Sequence, residues 1–335
     1  MTPDSALMGV PWGIVADPLT GRIHVVDYSS SRVAIFERDG TFAGTLGRAG
    51  GGPGEFRNPV AAALDAHGAI AIWDAGRGIV SRWSGEGDLL NEERPDLAYW
   101  GPGFALGENR LVAVTSSTTG ATQTQRLVVS TSEDTAIVHQ IPITLTEARF
   151  PCGTIQAQKV FAPWLVWTAR GDTILFVDAP AYRIDEYANG DLITSIRRDT
   201  RPIAATSDMA AAAVESGPGP YRGLMRRCPA TATEIVTAVG YEEVVPPLQN
   251  IALDPAGRLW VTRTMNGVDP ALIDVFSADG EYQGTMPAPG VPVAFPSSSS
   301  FVSLRLDETG AVRISLYDVL RTGSGSPYAA GSAEQ

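Results

Sequence analysis

Three aspartates stand at the ends of similar apolar segments, and their carboxylates are the first groups that could do chemistry. Asp27 ends IHVVD, Asp74 ends IAIWD and Asp178 ends TILFVD. A carboxylate fixed at the end of a buried strand can serve as a general base, so Asp74 and Asp178 are the candidate catalytic residues. The same residue type also caps the turn that follows it or pairs with an arginine, as Asp27 could with Arg32, and this alternative stays open.

Two asparagines and three histidines are the candidate metal ligands. Asn58 and Asn250 each begin an apolar segment, where an amide oxygen could bind calcium, but calcium takes about six to eight oxygens. His24, His67 and His139 fall in separate segments, whereas zinc needs several converging ligands. We therefore expect no cofactor, with calcium on Asn58 and Asn250 as the alternative.

Motifs of common reactions do not occur in the chain. It contains no nucleophile elbow, HExxH, P-loop or GxGxxG motif. The segment GGGPG, which ends at Gly54, offers backbone amides that could cradle a phosphate, but it also suits a connector between repeats.

Composition narrows the class of protein. The net charge of −12 repels phosphate backbones, so nucleic acid is not an expected partner. No run of about 18 apolar residues occurs, so no membrane span is expected. The 35 glycines and 24 prolines, with charged residues at only 19%, indicate many turns and few long helices. Any site must then be built on an all-β scaffold.

A repeated hairpin would position the candidate residues. Each copy has an apolar strand, a turn that usually contains glycine, and a second strand rich in β-branched and aromatic residues, as expected for a sheet buried on both faces. Six copies pivot at Gly21, Gly68, Asn109, Gly171, Gly257 and Gly310. They predict the two inner strands of six blades in a β-propeller.

Outer hairpins complete most of these blades. Their turns lie at Asp39-Gly40, Gly85 to Gly87, Ser132 to Asp134, Asn189-Gly190 and Asp279-Gly280. After Tyr317 no strand pattern remains, so the sixth blade is expected to lack its outer pair, and residues 322–335 to form a flexible polar tail. Because propellers usually close with an N-terminal strand, we hypothesise that Met1 is not the natural start and that an upstream strand precedes it.

The repeats resemble those of NHL-type six-bladed propellers. The connector GRAGGGPGEFRNP, the segment DYSSSRVAIFERDG and its counterpart DAPAYRIDEY carry the likeness, with Arg32 and Arg183 in the loop between the second and third strands. Blade two has Gly78 in place of the arginine, and blade three lacks both the aspartate and the arginine. The resemblance implies one propeller over residues 1–321. It implies no particular reaction, because this fold hosts scaffolds, receptors and enzymes.

The opening segment is also similar to that of gluconolactonase and paraoxonase propellers. The segment is LMGVPWGIVADPLTGRIHVVD. That family holds an axial calcium with a glutamate before the Gly-Pro pair, whereas Val10 precedes Pro11 here. The departure removes one ligand of the calcium site that the resemblance implies.

Function is expected on the face that carries the longer loops, which join second to third strands and blade to blade. The predicted second-to-third loops include Ser116 to Thr124 and Thr264 to Pro270. Connectors would also bring aromatic residues near the axis, where they suit an apolar or sugar-like ligand or a peptide. These candidate ligand contacts are Trp12, Trp100, Phe150 and Trp164, with packing between blades as the alternative.

One segment, at about residues 200–247, interrupts the repeat between blades four and five. Ser207 is expected to cap one helix, and the capping box from Thr231 to Glu234 to open a second that ends at Gly240. The two helices would form a lid or a structural cover over the long-loop face. Tyr221, Arg226 and Arg263, from this segment and blade five, are expected to supply polar contacts to the ligand.

The two cysteines, Cys152 and Cys228, would lie on that same face in neighbouring blades. Their placement predicts a disulfide, and a disulfide implies an exported protein. Two free buried cysteines are the alternative.

These features predict an all-β fold, a six-bladed propeller with a short two-helix insertion between blades four and five. The protein is predicted to be extracytoplasmic, either periplasmic or secreted. Its predicted function is to bind a small apolar or sugar-like ligand or a peptide. One alternative is a hydrolase or lyase of the lactonase type, with Asp74 or Asp178 as the base. The other is a scaffold that binds a protein partner.

Overall fold

The computed structural model describes residues 11–65, 67–97, 103–107, 110–177, 180–216, 221, 224–225, 228–264, 271–288, 290–306, 312–320 and 329–332. Within them, six antiparallel sheets follow one another along the chain, and each is built from consecutive strands. We number these sheets as blades one to six. Among the described residues, no helix is long and apolar enough to cross a membrane.

Blades one and two have four strands each. Their strands are β1 Pro11–Ala16, β2 Ile23–Asp27, β3 Arg32–Phe36 and β4 Phe42–Leu46, then β7 Pro59–Leu64, β8 Ile70–Asp74, β9 Ile79–Trp83 and β10 Leu89–Glu93. A short parallel pair, β5 Arg48–Ala49 and β6 Glu55–Phe56, lies in the connector between them.

Blade three has five strands and blade four has four. Their strands are β11 Phe104–Leu106, β12 Leu111–Thr119, β13 Thr122–Ser130, β14 Thr135–Phe150 and β15 Gly153–Gln158, then β16 Trp167–Arg170, β17 Thr173–Val177, β18 Arg183–Ala188 and β19 Asp191–Arg197.

The remaining blades also have four strands each. Their strands are β22 Leu248–Leu253, β23 Leu259–Arg263, β24 Ala271–Phe276 and β25 Tyr282–Ala288, then β26 Pro292–Ser297, β27 Ser300–Leu306, β28 Val312–Leu320 and β29 Ala329–Ser332. The pair β20 Ile203–Ala204 and β21 Val244–Val245 lies between blades four and five, and the helices α1 Ser207–Ser216 and α2 Ala232–Val239 lie between these two short strands.

The six blades form a closed ring. The first strands β1, β7, β11, β16, β22 and β26 contact one another in that order, and β26 contacts β1. A separate cluster of buried apolar side chains fills each interface between neighbouring blades, including the one between blades six and one, where Ile23 and Val25 meet Ala294 and Val302. Each fully buried aliphatic side chain stabilises the fold by roughly 1.5–3 kcal/mol, so the ring is held at every interface.

Chain direction gives the ring two different faces. First-to-second and third-to-fourth turns lie on one face, which we call the short-turn face. Second-to-third turns and the connectors between blades lie on the other, which we call the long-loop face. Every first strand begins at the long-loop face beside the axis.

Four arginines join neighbouring blades on the short-turn face, and we call them latch arginines. The guanidinium of each donates to a backbone carbonyl of the next blade: Arg22 to Gly85, Arg110 to Gly171, Arg170 to Asp254, and Arg258 to Ser298. A guanidinium can hold a carbonyl and a carboxylate together, which an ammonium does less well. This is a structural reason for arginine at these turns.

The sequence-based expectation for blade six is wrong in its strand order. The hairpin predicted as its inner pair corresponds to β27 and β28, which are the second and third strands. The innermost strand is PVAFPS, and residues 329–332, assigned above to the tail, pair with β28 as the fourth strand. The outer pair that was expected to be missing is therefore present, and the reason for inferring an upstream strand falls away.

Blade three also differs from expectation. Ser116 to Thr124 is not a loop, because β12 and β13 pair without interruption from Leu111 with Ser130 to Thr119 with Thr122. The fourth strand, β14, continues past the blade and folds back as β15, which forms a hairpin that projects from the long-loop face.

The projecting hairpin and the two helices share one apolar core, and we call this unit the cap. Ala148 of the hairpin and Val214, Ile235 and Val239 of the helices are buried together in it. Thr231 and Glu234 form the predicted capping box, and α2 ends before Gly240. Helix α1 is capped by Thr206, whose hydroxyl accepts from the Met209 N–H at 3.2 Å, and not by Ser207.

Buried His24 should make the fold sensitive to acid. It lies on β2 with an exposed fraction of 1%, and neither ring nitrogen has a hydrogen-bond partner among the described residues. Burial lowers its pKa from 6.5 to about 4, opposed by the carboxylates of Asp17 and Glu37 and assisted by Arg22. The folded state therefore favours neutral His24, while the unfolded chain takes up a proton as pH falls below 6.5.

We expect this group alone to cost about 3 kcal/mol of unfolding free energy between pH 6.5 and pH 4. Urea unfolding at a series of pH values would measure the slope, which His24→Leu should flatten. The matched control is His67→Leu, because His67 is exposed on a turn. An unchanged slope in His24→Leu would contradict the assignment.

Candidate functional site

Asp74 is fully buried, and backbone N–H groups bind both of its carboxylate oxygens. The N–H of Arg57 donates to Oδ2 at 2.8 Å and that of Asn58 to Oδ1 at 2.9 Å. The N–H groups of Gly76 and Arg77 donate to Oδ1 at 2.9 and 3.2 Å. This is the capping arrangement that the sequence left open as the alternative, and a catalytic role for Asp74 stays a prediction.

Asp27 also takes part in capping contacts. Asp27 is fully buried, accepts from the hydroxyl of Ser29 at 3.0 Å and the N–H of Ser30 at 3.3 Å, and pairs with Arg32 at 3.6 Å. Asp178 lies outside the described residues. Its catalytic role stays a prediction.

The glycine-rich connector already holds an anion of its own chain. Oε2 of Glu55 accepts from the N–H groups of Gly51 at 3.0 Å and Gly52 at 2.8 Å, and Oε1 pairs with Arg48 at 2.9 Å. The N–H of Gly52, followed by Arg48, holds the pKa of Glu55 below its usual range. Because Glu55 occupies the amides, the connector is not a free phosphate cradle.

The candidate calcium ligands lie in different blades. Asn58 belongs to blade two and Asn250 to blade five, on opposite sides of the six-membered ring. The Asn250 side-chain N–H donates to the Pro292 carbonyl at 2.9 Å, which ties blade five to blade six. Within the described ranges, no cluster of three or more His, Cys, Asp or Glu could hold a metal ion. A calcium ion held by Asn58 and Asn250 stays a prediction.

A recurring irregularity marks the mouth of the ring on the long-loop face. In blades one, two, five and six, the first strand skips one residue in its register with the second strand. The shifts fall between Pro11 and Gly13, Pro59 and Ala61, Leu248 and Asn250, and Pro292 and Ala294. A bulge of this kind re-aims the extra side chain.

The skipped residues are Trp12, Val60, Gln249 and Val293, and we call them the bulge arc. They belong to four consecutive blades of the ring, since blade six adjoins blade one. Three of them are exposed: Trp12, Gln249 and Val293. The arc carries no charge, so it presents an uncharged, largely apolar surface beside the axis.

An exposed aromatic pair stands at this arc. The ring of Trp12 meets that of Tyr28 edge-on, with centroids 4.8 Å apart. Trp12 is 49% exposed and Tyr28 is 37% exposed. Amphipathic aromatic rings left open to solvent in this way are typical of binding surfaces.

Trp164 is the second exposed tryptophan among the predicted contacts. It is 43% exposed and lies just before blade four. Phe161, three residues earlier, packs in the cap core with a positive φ of 65°, which is unusual for a bulky residue. The Leu165 N–H donates to the Gln125 side chain at 3.1 Å inside the ring. Trp164 is therefore held between the cap and the ring.

Other predicted contacts are placed elsewhere. Phe150 packs against the cap core, and Tyr221 is buried in it with its hydroxyl donating to the Gln158 carbonyl. Burial also raises the pKa of Tyr221. Both side chains therefore pack within the cap. Arg263 ends β23 and is half-buried. Trp100 and Arg226 lie outside the described residues.

The predicted disulfide is present. Cys152, at the tip of the β14–β15 hairpin, is bonded to Cys228 in the insertion, with Cα atoms 5.4 Å apart. It ties the two halves of the cap together.

Comparisons with known proteins bear on this architecture. The model of a family described as a six-bladed β-propeller matches residues 1–148. The structure independently closes six consecutive sheets into a ring. The chain is a six-bladed β-propeller.

Solved structures with similar folds are distant from this propeller. A protein from Bacteroides fragilis is 15% identical, with 91% of this chain and 82% of that chain covered and a TM-score of 0.49. A gluconolactonase from Xanthomonas campestris is 13% identical, with 97% and 86% covered and a TM-score of 0.44. Virginiamycin B lyase from Staphylococcus aureus is 12% identical, with 91% and 83% covered and a TM-score of 0.38. No curated protein matches the sequence.

Sequence reasoning singled out Trp12 but not the other members of the propeller's bulge arc. A signal for them does exist, because Pro11, Pro59 and Pro292 each stand immediately before a bulged residue. Proline has no N–H for a ladder and favours the first residue of a strand or a bulge. The pattern becomes readable only when the innermost strands are known.

Proposed function

We propose that this propeller is an extracytoplasmic binding protein for a small, uncharged ligand with an apolar or sugar-like face, or for a peptide that presents such a group. The observation that carries the proposal is the exposed Trp12–Tyr28 pair at the bulge arc. An aromatic face that stays solvent-exposed in the free protein can be covered by a flat apolar group.

The chemistry of the arc supports the ligand class. Trp12 and Val293 offer exposed apolar area, and Gln249 offers an amide that can donate and accept hydrogen bonds. The nearest strand-end carboxylates, those of Asp27 and Asp74, accept hydrogen bonds from backbone N–H groups. A neutral ligand therefore meets no unpaired charge there.

The disulfide supports the proposed location. Disulfides persist in oxidising compartments and are rare in the cytosol. The Cys152–Cys228 bond is consistent with a periplasmic or secreted protein.

Replacing Trp12 by alanine should abolish most of this binding. We expect phenyl β-D-glucoside, used as the probe in isothermal titration calorimetry, to bind saturably to the wild type and at least tenfold more weakly to Trp12→Ala, since stacking area is lost. The matched control is Leu90→Ala, because Leu90 is 58% exposed on an outer strand far from the axis. Binding that survives Trp12→Ala, or no saturable binding to the wild type, would count against the proposed site.

A further inference from the structure

The latch arginines of the short-turn face differ in one respect. Three of them also pair with a carboxylate: Arg22 with Glu37 at 3.0 Å, Arg110 with Asp172 at 3.0 Å, and Arg258 with Asp254 at 2.6 Å. Arg170 donates to the Asp254 carbonyl at 3.2 Å, and within the described part of the chain it has no ion-pair partner. Its guanidinium therefore keeps donors for an external anion.

Arg170 borders a cavity of about 180 Å³ at the short-turn edge of the interface between blades four and five. Its apolar floor consists of Leu175, Ile196, Leu253 and Leu259. These side chains belong to the core between the two blades, and the cavity is a continuation of that core toward solvent. The volume is slightly larger than the roughly 150 Å³ apolar cavity that admits benzene.

Two glycines keep the cavity open on the side of blade five. Gly257 and Gly280 line it, and both have positive φ values, of 81° and 80°. A side chain at either position would be strained, so the turns that form the wall favour glycine. The cavity is therefore open on this side because the turns of the repeat have glycine at these two positions.

A carboxylate completes the rim. Glu186 also lines the cavity, and among the described residues it has no ion-pair partner. Glu186 on β18 pairs with Leu175 on β17. Arg170 on β16 pairs with Thr173, which lies two positions before Leu175 on β17. Paired residues point to the same side of a sheet, so Arg170, Glu186 and Leu175 all face blade five.

We propose that this cavity binds a free α-amino acid with an aliphatic side chain of about leucine size. Arg170 takes the α-carboxylate, Glu186 takes the α-ammonium, and Leu175, Leu253 and Leu259 cover the side chain. A simple anion would meet repulsion from Glu186 and a simple cation would meet repulsion from Arg170, so a zwitterion is the complementary charge pattern. The site lies on the face opposite to the bulge arc and does not rest on the function proposed above.

The test uses L-leucine in isothermal titration calorimetry with the full chain. We expect saturable binding with a Kd of about 1 mM or tighter, as a ligand of this size allows. 4-Methylpentanoate, 3-methylbutylamine and glycine lack the ammonium, the carboxylate and the side chain respectively, and each should bind at least tenfold more weakly. Arg170→Gln and Glu186→Gln should each weaken leucine binding at least tenfold.

Arg22→Gln is the matched control, because it removes a latch between blades one and two and leaves the cavity intact. Its leucine Kd should equal that of the wild type, and circular dichroism should show all three variants folded. The proposal is overturned if leucine at about 10 mM gives no saturable heat. It is also overturned if 4-methylpentanoate binds as tightly as leucine, or if Glu186→Gln binds leucine as the wild type does.

Discussion

Asp274→Ala is expected to lower the free energy of unfolding by about 4 kcal/mol. Asp274 is fully buried on β24 of blade five, and two of its partners come from blade four. The Tyr182 hydroxyl donates to Oδ2 at 2.9 Å, and Arg198 pairs with Oδ1 at 2.6 Å. Thr285, in the same blade, donates to Oδ1 as well. Without the Asp274 carboxylate, the partly buried guanidinium of Arg198 and the buried hydroxyl of Tyr182 lose this acceptor.

Blade four supplies a matched control for that substitution. Asp185 occupies the corresponding position on the third strand, opposite Ser195, as Asp274 stands opposite Thr285. Its partners, Arg183 at 2.8 Å and Ser195 at 2.5 Å, belong to its own blade. Asp185→Ala should therefore cost about 2 kcal/mol, because no contact between blades is lost.

Urea unfolding of both variants measures the difference, and a double-mutant cycle of Asp274→Ala with Arg198→Ala isolates the contribution across the interface. A coupling energy near zero between Asp274 and Arg198 would show that the pair does not join the blades. Equal losses in Asp185→Ala and Asp274→Ala would lead to the same conclusion.

The sequence predicts the repeat correctly where the residues of a turn favour the same hairpin that the ring contains at that place. The turn at Gly21 illustrates this, since Asp17 accepts from the Leu19 N–H at 2.9 Å and the hydroxyl of Thr20 at 2.6 Å, and Gly21 takes a φ of 77°. The same hydrogen bond, from the N–H two residues after the aspartate, recurs in the D-x-x-G turns at Asp65 and Asp254. Such a turn fixes its own hairpin without help from distant contacts.

Blade six shows why that chemistry does not reveal which strand lies at the axis. Its innermost strand contains Pro292 and Pro296, which argue against a strand in the interior of a sheet. The strands of the next hairpin, β27 and β28, have the apolar pattern of an inner pair. Only the contacts of β26 with β1 and β22 identify the axial strand, and these are long-range.

The candidate site depended on the same long-range information. Aspartates at strand ends have identical sequence contexts whether they act as bases or caps, and the four N–H donors to Asp74 come from two segments, residues 57–58 and 76–77. The position of Phe150 was predicted from the repeat, but β14 runs past its blade and delivers the ring to the cap instead. The sequence shows which residues could do chemistry. It does not show which groups contact them in the folded protein.

Removing the disulfide is expected to open the cap without unfolding the propeller. The bond joins residues 76 positions apart, and a cross-link over a loop of this length contributes about 4 kcal/mol in the chain-entropy description. The cap has its own apolar core around Val214, Ile235 and Val239, distinct from the clusters between blades. The loss should therefore be local, because the interfaces between blades keep their contacts.

Hydrogen exchange of the double variant Cys152→Ser/Cys228→Ser tests this separation. At about 1.4 kcal/mol per tenfold change, amide exchange in α1 and α2 should accelerate by up to about 10³-fold, while β8 in blade two keeps its protection. Wild-type protein treated with dithiothreitol should show the same pattern, and the serine variant should not respond to the reductant. Unchanged exchange in α2 would show that the apolar core holds the cap without the bond. Equal acceleration in β8 would show that the bond stabilises the whole ring, because the cap and the propeller would then unfold as one unit.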